Sequence, residues 1–322
     1  MQLDAKKRLQ IAVVGVMVAL GSRASAQATA LPVTSHDSPA ASRQSAAARP
    51  VLQLEIDNDL LAIRGSGPPP DYDYTHGTHL SYSWSQSTVG LAQEIFTPRH
   101  NTSLPVAGDR PYAAWLFGEY GYRRTAGLWL TTLTTRAGVL GAPALGEQVQ
   151  NSIHRLLGNH LEQGWSHQLP TRATIGIHAD ETRLLASSAA SGPSRLLAAT
   201  LGGTIGTMQR VVRGGLQTYL GFACVHSATA NAPLVARQGH WYVVASYHED
   251  YVFYDALIEE RPRDSSVPAT QLRAWVSEAG AGIGWRTNRF AAEYRHVVRG
   301  REYEAEPTAH AYGAITLSML TP

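Results

Sequence analysis

The chain of 322 residues has a single cysteine, Cys224. One thiol excludes an internal disulfide framework and a cysteine-based metal cluster. A charge of one sign is missing too. Lys and Arg number 27 against 25 Asp and Glu, a net charge of +2, so charge alone points to neither nucleic acid nor an anionic surface. Beyond the N-terminus there is no run of about 18 apolar residues, the length a membrane-spanning helix needs. Gly-x-Ser-x-Gly, His-Glu-x-x-His, a phosphate loop and an EF-hand signature are all absent.

The N-terminus does carry a signal. Lys6, Lys7 and Arg8 precede an apolar run at 11–20, and Ala24-Ser25-Ala26 supplies small residues for cleavage. Residues 1–26 are therefore expected to be a signal peptide that exports the protein. Cysteine does not stand at the cleavage site, which argues against a lipoprotein anchor. Residues 27–50 are rich in Ala, Ser, Thr and Pro, with little to bury, and read as a disordered linker.

From residue 51 a period of two dominates. Leu52, Leu54 and Ile56 alternate with Gln53, Glu55 and Asp57, and in 75–85 Leu80, Tyr82 and Trp84 alternate with Ser81, Ser83 and Ser85. Similar segments follow at 89–96, 112–122, 128–140, 168–181, 195–207, 214–225, 240–258, 270–285, 288–299 and 308–319. That makes about twelve, each long enough to cross a bilayer as a tilted strand of ~9–11 residues. Tight connections (286–288, 210–215) alternate with long ones (64–73, 98–110, 259–269). Tyr72, Tyr112, Trp115, Trp165, Trp241 and Trp285 lie near strand ends, where interfacial girdles form. The expected fold is all-β, an antiparallel transmembrane barrel over 51–322. A soluble β-sandwich gives similar alternation, but the export signal, the polar lumen face and the missing cysteine staples favour the barrel.

One segment breaks the rhythm. As a helix, 146–158 puts Glu147, Gln150, Asn151 and His154 on one face, at i, i+3, i+4 and i+7. Val149, Ile153 and Leu156 fall on another face, suited to apolar packing. Pro143 and Gly158 mark its start and stop. A helix with a polar stripe ending in histidine, inserted among strands, is either a solvated loop element or the carrier of a general base.

His76 and His79 resemble a metal pair, but a spacing of three in a strand points them to opposite faces. Two acidic clusters remain, Asp57-Asn58-Asp59 at the end of the first strand and Asp71-Tyr72-Asp73-Tyr74-Thr75 leading into the second. If these strands are hairpin neighbours, carboxylate, amide and hydroxyl oxygens gather at one rim. Such hard ligands suit calcium and are poor for zinc. Ordinary turn chemistry accounts for either cluster alone.

Four blocks, in order over residues 55–168, resemble the LpxR-type lipid A deacylases. They are Asn58-Asp59; Asp73-Tyr74-Thr75-x-Gly77; Gln93-Glu94-Ile95-Phe96-Thr97-Pro98 with Asp109-Arg110-Pro111-Tyr112-Ala113; and Gly146-Glu147-Gln148-Val149-Gln150-Asn151-x-x-His154 with Gly164-Trp165-x-x-Gln168. Each block is weak alone, and four in order are specific. The resemblance implies a twelve-stranded outer-membrane barrel that removes the 3′-acyloxyacyl group of lipid A, with calcium as cofactor. It matches His154 to the catalytic histidine, Asn58, Asp59 and Thr75 to other essential polar positions, and Gln150 to a further helix residue. Asp57 falls outside the matched pair.

On this reading His154 takes a proton from water. Calcium, with Asp59, Thr75 and Asn58 as its candidate ligands, polarises the ester carbonyl. The expected partners are lipid A or lipopolysaccharide and outer-membrane lipids, not nucleic acid, and a monomer is expected. The alternatives are an outer-membrane phospholipase, which needs a serine nucleophile, and a passive pore or structural barrel.

Overall fold

The computed structural model describes residues 50–63, 72–188, 193–222, 240–287 and 289–321. The expected signal peptide, the linker before Pro50, Asp71 and Cys224 lie outside them. The described residues form twelve antiparallel strands: β1 Val51–Asn58, β2 Asp73–Trp84, β3 Ser87–Thr97, β4 Ala113–Ala126, β5 Trp129–Leu140, β6 Arg172–Ser188, β7 Pro193–Gly206, β8 Gln209–Phe222, β9 His240–Asp255, β10 Trp275–Arg286, β11 Phe290–Arg299 and β12 His310–Leu320. Each pairs with its neighbours in sequence, and β1 pairs with β12, so the sheet closes into a barrel with no free edge. No helix among the described residues is long and apolar enough to cross a membrane. Crossing falls to the strands.

Two faces follow from the pleat. Leu80, Leu91, Tyr120, Leu133, Ile175 and Leu216 are exposed on the outer wall, an apolar belt. Polar residues face the lumen, where a cavity of about 420 Å³ is lined by Glu55, Asp57, Arg213, His248, Glu278 and Arg295, among others. It lies toward the rim of the chain ends, away from the expected site. At the other rim, where the longer loops gather, Phe96, Ala113, Trp115, Phe117, Leu140, Leu169, Met208 and Leu257 pack together and fill the barrel.

Several boundaries differ from expectation. The turn expected at 210–215 is at Thr207 and Met208, and β8 already starts at Gln209. Gly214 and Gly215 read as a turn but lie inside the strand. A Cβ at Gly215 would stand 2.2 Å from the His248 ring on β9, its cross-strand partner. Glycine there makes room for a neighbour and bends nothing. β1 ends at Asn58, and Asp59–Leu61 forms a 3₁₀ turn capped by the Asn58 side chain. The segment expected as one strand at 240–258 ends at Asp255 and closes with a short helix.

The helix α1, Gly146–Leu157, lies in the loop between β5 and β6. Its faces are not distributed as an ordinary amphipathic helix would have them. Gly146, Gln150, Asn151 and His154 are buried, whereas Leu156 is 86% exposed. Glu147, expected on the stripe, is exposed. Val149 does pack on an apolar cluster, but Leu156 does not.

Candidate active site

Register puts Asn58 and His76 on the outside of the barrel. Residues directly opposite one another on paired strands share a face, and one such row runs His296, Gly313, Asn58, His76, Ile95, Ala114 across β11, β12, β1, β2, β3 and β4. Two pleats below it on the same face is the row Leu54, Leu80, Leu91, Gly118, Ala137, Ile175, which belongs to the apolar belt. Where further apolar residues would be expected, the upper row carries an amide and two imidazoles.

Two segments lie against this wall and leave β1 and β2 between them. On one flank, the turn Asp59–Leu61 folds over β12. A Cβ at Gly313 would be 2.3 Å from the Leu61 carbonyl oxygen. The Tyr294 hydroxyl donates to that oxygen (2.7 Å), and the Ile63 amide donates to His296 Nδ1 (3.2 Å). On the other flank α1 packs over β3 and β4. Ile95, Tyr112, Ala114, Ala144 and Trp165 are buried together there, joined by Leu116 and Val149. Gly146 sets the approach, since a Cβ on it would meet Ala114 and Trp165 at 2.5 and 2.6 Å. The Gln93 amide holds the chain before the helix by donating to the Ala144 carbonyl (2.5 Å).

The groove between the flanks is polar. Asn58 Oδ1 accepts from the Leu60 amide (2.8 Å) and Nδ2 donates to His76 Nδ1 (3.3 Å). His76 Nδ1 must then be the acceptor, and Nε2 carries the proton toward Thr78 Oγ1 at 2.8 Å. Thr75 is the extra residue of a β-bulge, because pairing with β3 shifts between Tyr74 and His76. A bulge re-aims its side chain, here to the Thr97 hydroxyl at 2.5 Å, with both residues buried. Thr97 follows Ile95 by two and shares its outward face. Asp59, 5% exposed, begins the neighbouring turn.

On the helix, Gln150 and His154 are one turn apart on the buried face. His154 Nδ1 is 2.5 Å from the His160 carbonyl oxygen. A carbonyl only accepts, so Nδ1 carries a proton, and in the corresponding neutral tautomer Nε2 is the acceptor nitrogen. Asn151 pins the return loop that supplies this carbonyl. Its Oδ1 accepts from the Glu162 amide (2.9 Å) and its Nδ2 donates to the Glu162 carbonyl (3.3 Å). The Tyr112 hydroxyl donates to the Glu162 carboxylate, and Asn101 Nδ2 donates to its other oxygen (3.0 Å). The His154 ring is held by main chain, and that main chain is held by a buried amide.

Other motif residues serve the barrel instead. Asp57 faces inward, with the Tyr74 hydroxyl donating to it at 2.8 Å. Gly77 is what lets Tyr74 cross, since a Cβ there would be 1.9 Å from the Tyr74 oxygen. His79 turns to Asp57 and Glu94, opposite to His76, as its spacing requires. Asp109 holds the 98–110 loop by accepting from the Arg99 and His100 amides (3.1 and 3.0 Å).

Across the mouth of the barrel runs an ion network. Arg99 reaches Asp73 at 2.7 Å and Glu306 at 3.3 Å, and buried Arg110 reaches Glu302 at 3.0 Å. Arg299 meets Glu302 at 2.8 Å. Burial alone would raise the Glu302 carboxyl, but Arg299 and Arg110 outweigh it and hold it at about 2. Asp73, Glu306 and His310 bring three potential metal-ligand atoms within 4.8 Å. A guanidinium already lies on two of these groups, and a dication beside it would meet repulsion.

His76 and Thr97 are the residues that motif reading passed over. Thr97 lies in a matched block, and its pairing with Thr75 becomes visible only with the bulge. His76 was set aside as a ligand, and its role toward Asn58 depends on the β1–β2 register.

A family model described as outer membrane protein LpxR matches residues 24–320. Among solved structures, LpxR from Salmonella typhimurium matches with a TM-score of 0.74 at 19% identity, over 84% of this chain and 100% of that one. The beta domain of the Bordetella autotransporter Brka matches at a TM-score of 0.39 and 11% identity, over 85% and 99% of the two chains. A comparison with curated protein sequences finds no match.

Proposed function

The chain belongs to the LpxR family, outer-membrane β-barrel hydrolases of the lipid A 3′-O-deacylase type, and on that premise we propose that the outer-wall groove is where it hydrolyses the 3′-acyloxyacyl ester. The observation that carries this reading is the inverted helix. Burying Gln150, Asn151 and His154 at 3, 6 and 6% exposure against a barrel wall costs stability that apolar residues would supply. Chemistry is a reason to accept that cost.

In this reading His154 Nε2 takes a proton from water as the water oxygen bonds to the ester carbonyl carbon. The ester C–O bond then breaks, and the imidazolium returns its proton to the departing alkoxide oxygen, releasing free acid and alcohol. The His160 carbonyl keeps Nδ1 protonated and the ring turned, and it favours the imidazolium while the proton is held. Gln150 orients the carbonyl side of the substrate from the same helix face. Asn58 and Ile95 are two strands apart, about 10 Å, a distance one lipid ester and its surrounding ligands can bridge.

Calcium fits the oxygens of the groove. Asp59 supplies a buried carboxylate, Thr75 and Thr97 hydroxyls, and Asn58 an amide oxygen with a second lone pair, all hard donors. Asp59, Thr75 and Asn58 would hold the ion. Calcium when bound supplies Lewis-acid charge at the ester carbonyl oxygen. The Asp73, Glu306 and His310 cluster suits it less, with Arg99 seated there. A passive pore, the non-enzymatic alternative, is opposed by the apolar plug and the ion network across the mouth.

Mass spectrometry of lipid A from cells expressing the protein, with and without calcium, tests the proposal. Loss of the 3′-acyloxyacyl mass that requires both calcium and His154 is expected. Unaltered lipid A in cells with folded barrel would overturn it.

A further inference from the structure

We propose that α1 lies flat in the membrane surface, with a leucine stripe sunk into the acyl layer of the outer leaflet, so that the groove opens sideways to lipid. This rests on reading the groove as a lipid-ester site.

The stripe is Leu145, Val149, Ile153, Leu156 and Leu157. At about 100° per residue its centre stands roughly a quarter-turn round the helix from the buried face of Gly146, Gln150 and His154. Gln148, Ser152 and Arg155 occupy the remaining side and are exposed. A helix lying along a wall at the water–lipid boundary needs these three sides: one for the wall, one for lipid and one for water. Leu145, Leu156 and Leu157 are 50, 86 and 52% exposed. Bare to water, such a patch beside a polar groove is costly, and beside acyl chains it is stabilising.

Continuity with the belt identifies the occupant. One pleat below the site row, the outward row is Ile56, Thr78, Gln93, Leu116 and Val139. One pleat further, about 7 Å along the strand, lie Leu80, Leu91 and Ile175, at 46, 57 and 66% exposure. Leu116 from the wall and Val149 from the stripe join the same cluster, so the helix stripe and the belt form one apolar surface. Leu60 and Ile63, 51 and 68% exposed, extend it on the other flank of the groove. Acyl chains already cover the belt of an outer-membrane barrel, and the same chains reach the stripe without a break.

Fluorophores on single cysteines read the placement without turnover. In a Cys224→Ser background, Leu156→Cys, Leu91→Cys and Gln148→Cys are labelled with a polarity-sensitive dye, and the protein is reconstituted into phosphatidylcholine vesicles. Nitroxides on the lipid acyl chains should quench the Leu156 label to within about twofold of the Leu91 label, and aqueous iodide should barely reach it. The Gln148 label should behave in the opposite way. Iodide quenching at Leu156 equal to that at Gln148 would overturn the proposal. Shielding from both quenchers would overturn it too, since a second copy would then cover the stripe. If lipid A stays intact while Leu156 proves to be in the acyl layer, the deacylase reading fails and the placement stands. As a functional arm, a Leu156→Ser, Leu157→Ser double variant should raise KM for lipid A in vesicles roughly 10-fold, with kcat nearly unchanged.

Discussion

The loop rim buries polar groups in two places, and the two are built differently. Across the mouth of the barrel carboxylates meet guanidiniums: Asp73 and Glu306 meet Arg99, and Glu302 meets Arg110 and Arg299. On the outer wall the groove has amides, hydroxyls, imidazoles and one buried carboxylate, Asn58, Thr75, Thr97, His76, His154 and Asp59. The network over the mouth neutralises its own charges and leaves little to offer a substrate. In the groove, neutral donors and acceptors take the place of ion pairs, and their bonds fix orientations and tautomers, as at His76 and His154. Burial alone does not mark a site. The manner in which the buried groups are satisfied distinguishes the two regions.

The sharpest test of that division is His154→Ala. Deacylation should fall roughly 10²–10⁴-fold, in kcat more than in KM, because proton transfer matters at the transition state. Barrel folding, read by heat-modifiable migration on gels, should be unchanged. Near-normal turnover would remove the groove from the chemistry.

Arg110→Met asks the reverse of the mouth. It leaves Glu302 and Asp73 with one cation fewer in a buried place, which should cost about 3–5 kcal/mol of stability and lower the unfolding temperature. Molecules that remain folded should keep most of their kcat. A catalytic loss as large as that of His154→Ala, without a stability change, would erase the distinction between the two regions.

Asp59→Ala should lower activity about 10²–10³-fold and abolish the response to calcium, with zinc failing to restore it. Titrating calcium against wild-type and variant rates checks this. Full activity after chelation would dispose of the calcium assignment.

The mouth also predicts an acid response. Glu302 is held at about 2, below its ordinary 4.5. Its depressed value means that its contribution, at most about 3 kcal/mol, is fully present above pH ~4.5. That contribution is lost as pH falls toward 2. Unfolding midpoints measured over that range should drop for wild type and be flatter for Glu302→Gln. Gln150→Ala comes last, at roughly 10-fold in rate, since water can replace part of what an orienting amide does.

The strand rhythm was legible because a barrel wall exposes every second residue to lipid, which writes period two into the sequence. Leu80, Tyr82 and Trp84 alternate with serines for that reason. The β8 boundary was misread because Gly214-Gly215 looks the same whether it turns the chain or yields to a ring on the next strand. His154 stood out through its helix spacing, yet the same spacing put exposed Glu147 on one face with buried Gln150 and His154, and grouped exposed Leu156 with Val149, which packs on the wall cluster. Periodicity tells which residues share a side of a helix and is silent on what lies against that side.

The sequence by itself determined the barrel class and the helix inserted at 146–157, and its motif order singled out Asn58, Asp59, Thr75, Gln150 and His154 as candidates. Local alternation and short motifs depend only on neighbours along the chain. Only the tertiary structure decided that Asn58 and His76 share an outward row while Asp57 turns inward. It also decided that Thr75 sits in a bulge and that His154 is aimed by the His160 carbonyl. Those facts depend on register between strands and on how a loop closes over the wall, and a register slip of one residue would reverse every one of the strand faces.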